Sequence, residues 1–160
     1  LPVGVPKLRW CYPHHRRAAS TMDSGAPSGD DGGVEVAMTS VQVLIVDDQL
    51  PFREASRMVV EMTDGFEVVG EAQNGLEAIE LVSELKPDLV LMDVQMPGID
   101  GIETTRRISA LPDAPAVIVM STHESGDYVG MAVAAGAVGF VPKSQFSFDT
   151  LAEMWELAQA

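Results

Sequence analysis

Cysteine, aromatic side chains and basic residues are all scarce in this sequence of 160 residues. The single cysteine, Cys11, excludes an intramolecular disulfide and offers no cysteine cluster for a metal, which is typical of a reducing compartment. The longest uninterrupted apolar stretch is Ala- and Gly-rich and falls short of the roughly 20 residues that cross a bilayer. We therefore expect one domain, located in the cytoplasm and not associated with a membrane.

Lysine and arginine number only 10, against 24 aspartate and glutamate residues, and the formal net charge is −14. The excess lies in residues 41–160, which hold six basic and twenty acidic side chains, whereas residues 1–40 hold four of each. Phosphate backbones and anionic lipids repel such a domain, so we expect residues 41–160 to bind neither nucleic acid nor a membrane surface. A cation is the natural ligand of this part of the chain.

Residues 1–40 are rich in proline and glycine and show no sustained helical or strand period. This composition predicts a disordered N-terminal arm ahead of a folded domain over residues 41–160. A second interpretation is that the arm is translated upstream sequence and that the start lies near Met38.

From Val41 onward, apolar strands alternate with amphipathic helices in five successive units. Continuously apolar strands separated by helices indicate an α/β fold with a parallel sheet covered on both faces. Asn74 and Asp100 are placed to cap the second and third helices. The strands are predicted at 41–46, 66–72, 87–93, 115–121 and 137–142, and the first, fourth and fifth helices near 50–62, near 125–135 and at the end of the sequence.

Two of the helices carry apolar stripes that predict which side faces the core. In the first helix the stripe has the spacing i, i+3, i+4, i+7. In the last helix four apolar residues form a stripe along one side. The residues predicted to face inward are Ala55, Met58, Val59 and Met62 in the first helix, and Leu151, Met154, Trp155 and Ala158 in the last.

Polar side chains stand at the carboxyl ends of four strands: Asp47 and Asp48, Asp93, Ser121, and Lys143. The ends of parallel strands meet at one edge, where α/β sheets bind their ligands. Three converging carboxylates repel one another, so a hard divalent ion is expected between them, and Mg²⁺ also prefers an incoming phosphate. Lys143 and the Ser121 hydroxyl could then contact phosphoryl oxygens, which makes Asp93 a candidate phosphoryl acceptor.

Four short motifs carry a resemblance to a known family: "VDD" (46–48), "LMDVQMPGIDG" (91–101), "VMST" (119–122) and "GFVPK" (139–143). Together and in this order they make the chain from Val41 to about Ala160 similar to a response-regulator receiver domain of two-component signalling. The resemblance implies a doubly wound, five-stranded parallel sheet with the flavodoxin-like strand order 2-1-3-4-5. It implies a protein that catalyses only its own phosphorylation and dephosphorylation and is not otherwise an enzyme.

The same resemblance implies roles for individual residues. Asp93 would be phosphorylated by the phosphohistidine of a sensor histidine kinase or phosphotransfer protein, and water would later hydrolyse the product. Asp48 and the Gln95 carbonyl would be direct Mg²⁺ ligands, Asp47 would be a ligand through water, and Asp93 would also belong to the metal site. Ser121 and Lys143 would contact the phosphoryl group.

The resemblance also implies a conformational switch. On phosphorylation Ser121 would move toward the new oxygens and Phe140 would turn inward. The surface of the fourth helix, fifth strand and fifth helix would then change for an unidentified protein partner or a homodimer. Phe140 lacks the hydroxyl of the tyrosine often found there. Ser144 replaces the proline that often follows the active-site lysine, and Gln95 and His123 would flank the path of attacking water without a catalytic role for His123.

Two other classes of protein fit the sequence motifs less well. A phosphatase of the haloacid dehalogenase type needs a second aspartate two residues after the nucleophile, where this sequence has Gln95. A flavodoxin-like FMN binder needs a phosphate loop after the first strand, where Asp47 and Asp48 stand. Three alternatives stay open: a stand-alone phosphorylated switch, a pseudo-receiver that binds partners without phosphorylation, and a fragment of a longer DNA-binding regulator.

Overall fold

The computed structural model describes residues 40–122 and 126–160. The predicted arm, apart from residue 40, lies outside these ranges, and so does His123. Within them, no helix is long and apolar enough to cross a membrane.

Five strands and five α-helices alternate along the described chain, as the sequence predicts. The strands are β1 (Val41–Val46), β2 (Phe66–Ala72), β3 (Leu89–Asp93), β4 (Ala116–Ser121) and β5 (Gly139–Pro142). The helices are α1 (Leu50–Glu61), α2 (Gly75–Leu85), α3 (Gly101–Ser109), α4 (Gly126–Ala134) and α5 (Phe148–Gln159), and one turn of 3-10 helix, Lys143–Gln145, follows β5.

All five strands are parallel and form one sheet in the order β2-β1-β3-β4-β5. This confirms the doubly wound architecture and its strand order. Every residue of β3 and β4 is buried, because helices cover both faces of the central strands.

Successive strand residues point to opposite faces, so the sheet separates two hydrophobic cores. In β1, Leu44 and Val46 join the core that also contains Ala78 of α2 and Ile108 of α3. Residues of the opposite parity, among them Ile45, pack in the second core with α1 and α5. The sheet is therefore held from both sides, and its carboxyl edge is left for the loops.

Side chains cap the helices where the sequence places them. The Asn74 side chain accepts a hydrogen bond from the Glu77 amide at 2.9 Å, and the Asp100 side chain accepts one from the Glu103 amide at 2.8 Å. Each bond satisfies a backbone donor that has no partner within its own helix.

The predicted inward face of α1 is only partly right: Val59 packs against the core, but the two methionines are exposed. Met58 and Met62 are 61% and 64% exposed, and the residues of this helix that are buried are Arg53, Ser56 and Val60. The helix is rotated because Arg53 forms ion-pair and backbone contacts inside the protein, and these override the apolar spacing.

The predicted face of α5 is largely right, since Leu151, Met154 and Ala158 are buried. Trp155 is half-buried and packs edge to face on Phe66 of β2, with ring centroids 6.3 Å apart.

Candidate functional site

The parallel sheet brings the predicted polar residues to one edge. Asp47 directly follows β1, Asp93 ends β3, Ser121 ends β4, and Lys143 directly follows β5. Asp93 pairs in register with the residue before Ser121, and Ser121 pairs with Pro142. The neighbouring positions of these strand ends follow from topology alone.

Three carboxylates meet at this edge. Asp47, Asp48 and Asp93 each offer an oxygen, and these oxygens all lie within 4.8 Å of one another. Asp47 and Asp93 are 2% and 4% exposed, whereas Asp48 is exposed and marks the open side of the cluster. An open, all-oxygen set with few carboxylates fits a hard, partly hydrated divalent cation.

Lys143 joins two of these acids. Its ammonium nitrogen lies 2.6 Å from Asp47 Oδ2 and 3.2 Å from Asp93 Oδ1, and its side chain is only 9% exposed. The same nitrogen lies 3.9 Å from the centroid of the Phe52 ring, within the range of a cation–π contact. Two carboxylates and an aromatic ring therefore hold this cation at the site.

The cluster has more negative charge than Lys143 neutralises. Burial, and after it the nearby Asp47 carboxylate, raise the pKa of Asp93 to about 6 against the opposing effect of Lys143. A cation that binds between the carboxylates would favour the ionised form of Asp93. The donor set and the raised pKa thus agree with a divalent-cation site at this edge.

The loop after β3 folds back closely on the site. The Val94 amide donates to the Met120 carbonyl at 3.0 Å, and the Gly101 amide donates to the Val94 carbonyl at 2.8 Å. A Cβ at Gly101 would collide with the backbone carbonyl of Asp93. Glycine at the start of α3 therefore lets the helix approach the phosphoacceptor candidate.

The remaining predicted residues lie on β4, on β5 and in the loop after β3. Ser121 is buried at the end of β4, and Gln95 is exposed in the loop two residues after Asp93. Phe140 is half-buried in β5, and its ring lies 6.3 Å from that of Tyr128 in α4. The Lys143–Ser144 peptide bond is trans.

Sequence reasoning missed three residues beside the cluster: Phe52, Arg53 and Glu71. Arg53 Nη1 donates to the Asp47 carbonyl oxygen at 2.8 Å, and its Nε donates to Glu71 Oε1 at 3.2 Å. No signal in the sequence marked them: Arg53 shares a helical face with Ser56 and Val60, but the apolar stripe of this helix predicts a different buried face.

Comparison with known proteins agrees with this geometry. Residues 43–156 match the family described as the response regulator receiver domain. A transcriptional regulatory protein, DegU of Brevibacillus brevis, is 38% identical over 120 residues, which are 74% of this chain and 50% of that protein. Protein-glutamate methylesterase/protein-glutamine glutaminase 5 of Myxococcus xanthus is 40% identical over 107 residues, which are 66% of this chain and 31% of that protein. The chain thus spans half the length, or less, of these curated relatives.

Solved structures give the same result. A LuxR-family two-component response regulator from Aurantimonas has 32% identity and a TM-score of 0.70, with 75% of this chain and 86% of that chain covered. The signal receiver domain of the response regulator NarL from Mycobacterium tuberculosis has 30% identity and a TM-score of 0.70, with coverages of 76% and 98%. The chain belongs to the family of response regulator receiver domains of two-component systems.

Proposed function

We propose that this receiver accepts a phosphoryl group on Asp93 in a Mg²⁺-dependent reaction and thereby controls binding to a partner protein. The donor would be the phosphohistidine of a sensor histidine kinase or of a phosphotransfer protein. The observation that carries the proposal is the environment of Asp93, a buried carboxylate with two further carboxylates and the Lys143 ammonium around it. Family membership supports the same reaction.

The metal would be held by carboxylate oxygens and one backbone oxygen at the open side of the cluster. When bound, Mg²⁺ would neutralise charge on the carboxylates and on the phosphoryl oxygens. The proposed ligands are Asp48, Asp93 and the Gln95 carbonyl directly, and Asp47 through water.

The transfer needs alignment more than acid–base chemistry. One Asp93 oxygen attacks phosphorus, an O–P bond forms, and the P–N bond to the donor imidazole breaks. The electron pair of that bond stays on the imidazole nitrogen, which then takes a proton from solvent. Lys143 and the Ser121 hydroxyl donate to phosphoryl oxygens, and Lys143 already stands within 3.2 Å of the acceptor carboxylate.

Signal termination would be hydrolysis of the aspartyl phosphate. Water attacks phosphorus, inorganic phosphate leaves, and the Asp93 carboxylate is restored. Gln95 lies exposed in the loop beside Asp93, where its side chain can affect the approach of that water.

The proposed output is a change in the surface formed by α4, β5 and α5. Phe140 is half-buried and its ring packs near that of Tyr128, so an inward turn of Phe140 would alter the contact between β5 and α4. This surface would bind a downstream protein or a second copy of the chain. Some relatives are named as transcriptional regulators and others as methylesterases, which is consistent with one switch serving different outputs.

The test is intact-mass measurement after incubation with Mg²⁺ and a small phosphodonor such as acetyl phosphate. We expect one phosphoryl adduct on the parent and none on Asp93→Asn. Asp149→Asn, which changes an exposed aspartate in the first turn of α5, is the matched control and should keep the adduct. An unmodified parent would favour the pseudo-receiver, an interaction module that is not phosphorylated.

A further inference from the structure

Arg53 is a buried cation beside the loop after β1, which carries Asp47 and Asp48. The proposed phosphoryl transfer gives Arg53 no role. The residue is 9% exposed, and its guanidinium contacts both the Asp47 carbonyl and the Glu71 carboxylate. We propose that Arg53 is a positioning residue for the metal site: it fixes the peptide group between Asp47 and Asp48 and so directs the Asp48 carboxylate. This inference rests on the proposed function and deepens it.

Asp47 is held through its backbone at both its amide and its carbonyl. Its amide donates to the Ala72 carbonyl at 3.0 Å, and its carbonyl accepts from Arg53 Nη1 at 2.8 Å. The carbonyl of Asp47 and the amide of Asp48 belong to one planar peptide group. A bond that fixes this carbonyl therefore fixes the plane from which Asp48 departs.

The Asp48 side chain depends on its backbone for orientation. The neighbouring Asp47 carboxylate is held by the Gln49 amide at 2.9 Å and by Lys143 at 2.6 Å. Asp48 is exposed, and in the described part of the chain no side-chain hydrogen bond restrains its carboxylate. The Gln49 amide bond fixes the peptide group that follows Asp48, and the Arg53 bond fixes the peptide group that precedes it.

Arg53 occupies an inward position of α1 although it is charged. A buried guanidinium costs free energy unless its donors are paired, and here Glu71 supplies the counter-charge from β2. Glu71 Oε1 accepts from Arg53 Nε at 3.2 Å, and Glu71 Oε2 accepts from Arg57 Nε at 2.7 Å. The planar fork of arginine can bond to a carboxylate and a carbonyl at the same time, which an ammonium does less well.

A purely structural role for Arg53 would be to tie α1 to β2 through Glu71. Arg57 separates the two roles, because it bonds to the same Glu71 carboxylate from the same helix but has no bond to Asp47. The charge of Arg53 and its positioning role also predict opposite changes in Mg²⁺ affinity when the residue is replaced. Removing a cation near a dication site tightens metal binding by Coulomb's law, whereas loss of positioning weakens it.

The experiment is a calorimetric titration of Mg²⁺ into the parent chain, Arg53→Gln and Arg57→Gln, with folding checked by circular dichroism. We expect the Kd for Mg²⁺ to rise about tenfold in Arg53→Gln and to change less than about twofold in Arg57→Gln. The parent is then incubated with acetyl phosphate at saturating Mg²⁺, and intact mass reports its phosphorylation.

Mg²⁺ binding by Arg53→Gln that is as tight as in the parent, or tighter, would overturn the inference. Phosphorylation of the parent in the same assay would then leave the proposed function intact, so the two failures are distinguishable. If Arg53→Gln does not fold, Arg53→Met with Glu71→Gln is compared with Glu71→Gln alone. A Kd about tenfold higher in the double variant supports positioning, and equal Kd values reject it.

Discussion

Asp93 destabilises the folded protein when its buried carboxyl group is ionised. Its pKa is raised to about 6, first by burial and then by the Asp47 carboxylate. In the unfolded chain the group has its ordinary pKa near 3.8, so the folded state binds the proton more tightly. The free energy of unfolding therefore falls as pH rises from about 4 through about 6, because ionisation then favours the unfolded chain.

Replacing this acid should stabilise the metal-free protein. We expect Asp93→Asn to raise the free energy of unfolding by about 1 kcal/mol near pH 7.5, after allowance for solvent screening, and by less near pH 5. Thermal unfolding in the presence of a chelator measures the effect. An Asn variant that is less stable than the parent at both pH values would show that the Lys143 contact outweighs the cost of burying Asp93.

Asp48 gives a second prediction at this scale. Mg²⁺ should raise the Tm of the parent by several degrees at concentrations well above its Kd, and Asp48→Asn should lose most of that rise. Asp64→Asn changes an exposed aspartate just after α1 and should respond to Mg²⁺ like the parent. An equal response of all three proteins would place the binding site elsewhere.

Among the elements, α3 and α4 each contain a glycine whose replacement should have opposite effects. A Cβ at Gly101, the first residue of α3, would collide with the Asp93 carbonyl, whereas a Cβ at Gly130 in α4 meets no atom within 4 Å. We expect Gly101→Ala to lower the free energy of unfolding by about 2 kcal/mol and Gly130→Ala to raise it by about 0.5–1 kcal/mol.

Urea unfolding of the two alanine variants beside the parent tests this pair. Since both changes add the same methyl group to a helical glycine, helix propensity alone would shift them in the same direction. Two variants of equal stability would contradict the close approach of α3 to the Asp93 carbonyl.

The elements also show which features were predictable. Strand positions and the caps at Asn74 and Asp100 follow from apolar runs and local chemistry, and the structure confirms them. The positions of the strand ends were also predictable, because the ends of parallel strands meet at one edge of the sheet. The orientation of α1 could not, because the ion pair between Arg53 and Glu71 joins residues 18 positions apart in sequence. The spacing of apolar residues in α1 does not indicate that Arg53 has an ion-pair partner on β2.

At the scale of the molecule, acidic side chains exceed basic ones by 14 over residues 41–160, the difference between twenty and six. Self-repulsion of this kind is screened by salt, with a Debye length of about 8 Å at 0.15 M ionic strength. We therefore expect the Tm of the metal-free protein to rise by a few degrees as sodium chloride increases from low to moderate concentration. A fall in Tm would mean that ion pairs such as Arg57 with Glu71 contribute more than the repulsion costs.

The place of Lys143 has a consequence for chemical labelling. Its amine lies between two carboxylates and the face of Phe52, whereas Lys86, the other lysine in the described ranges, is exposed after α2. Acylating reagents should therefore modify Lys86 quickly and Lys143 slowly in the folded protein. The ratio of the two rates, read by peptide mass spectrometry, would report how firmly the Lys143 amine is held by Asp47 and Asp93.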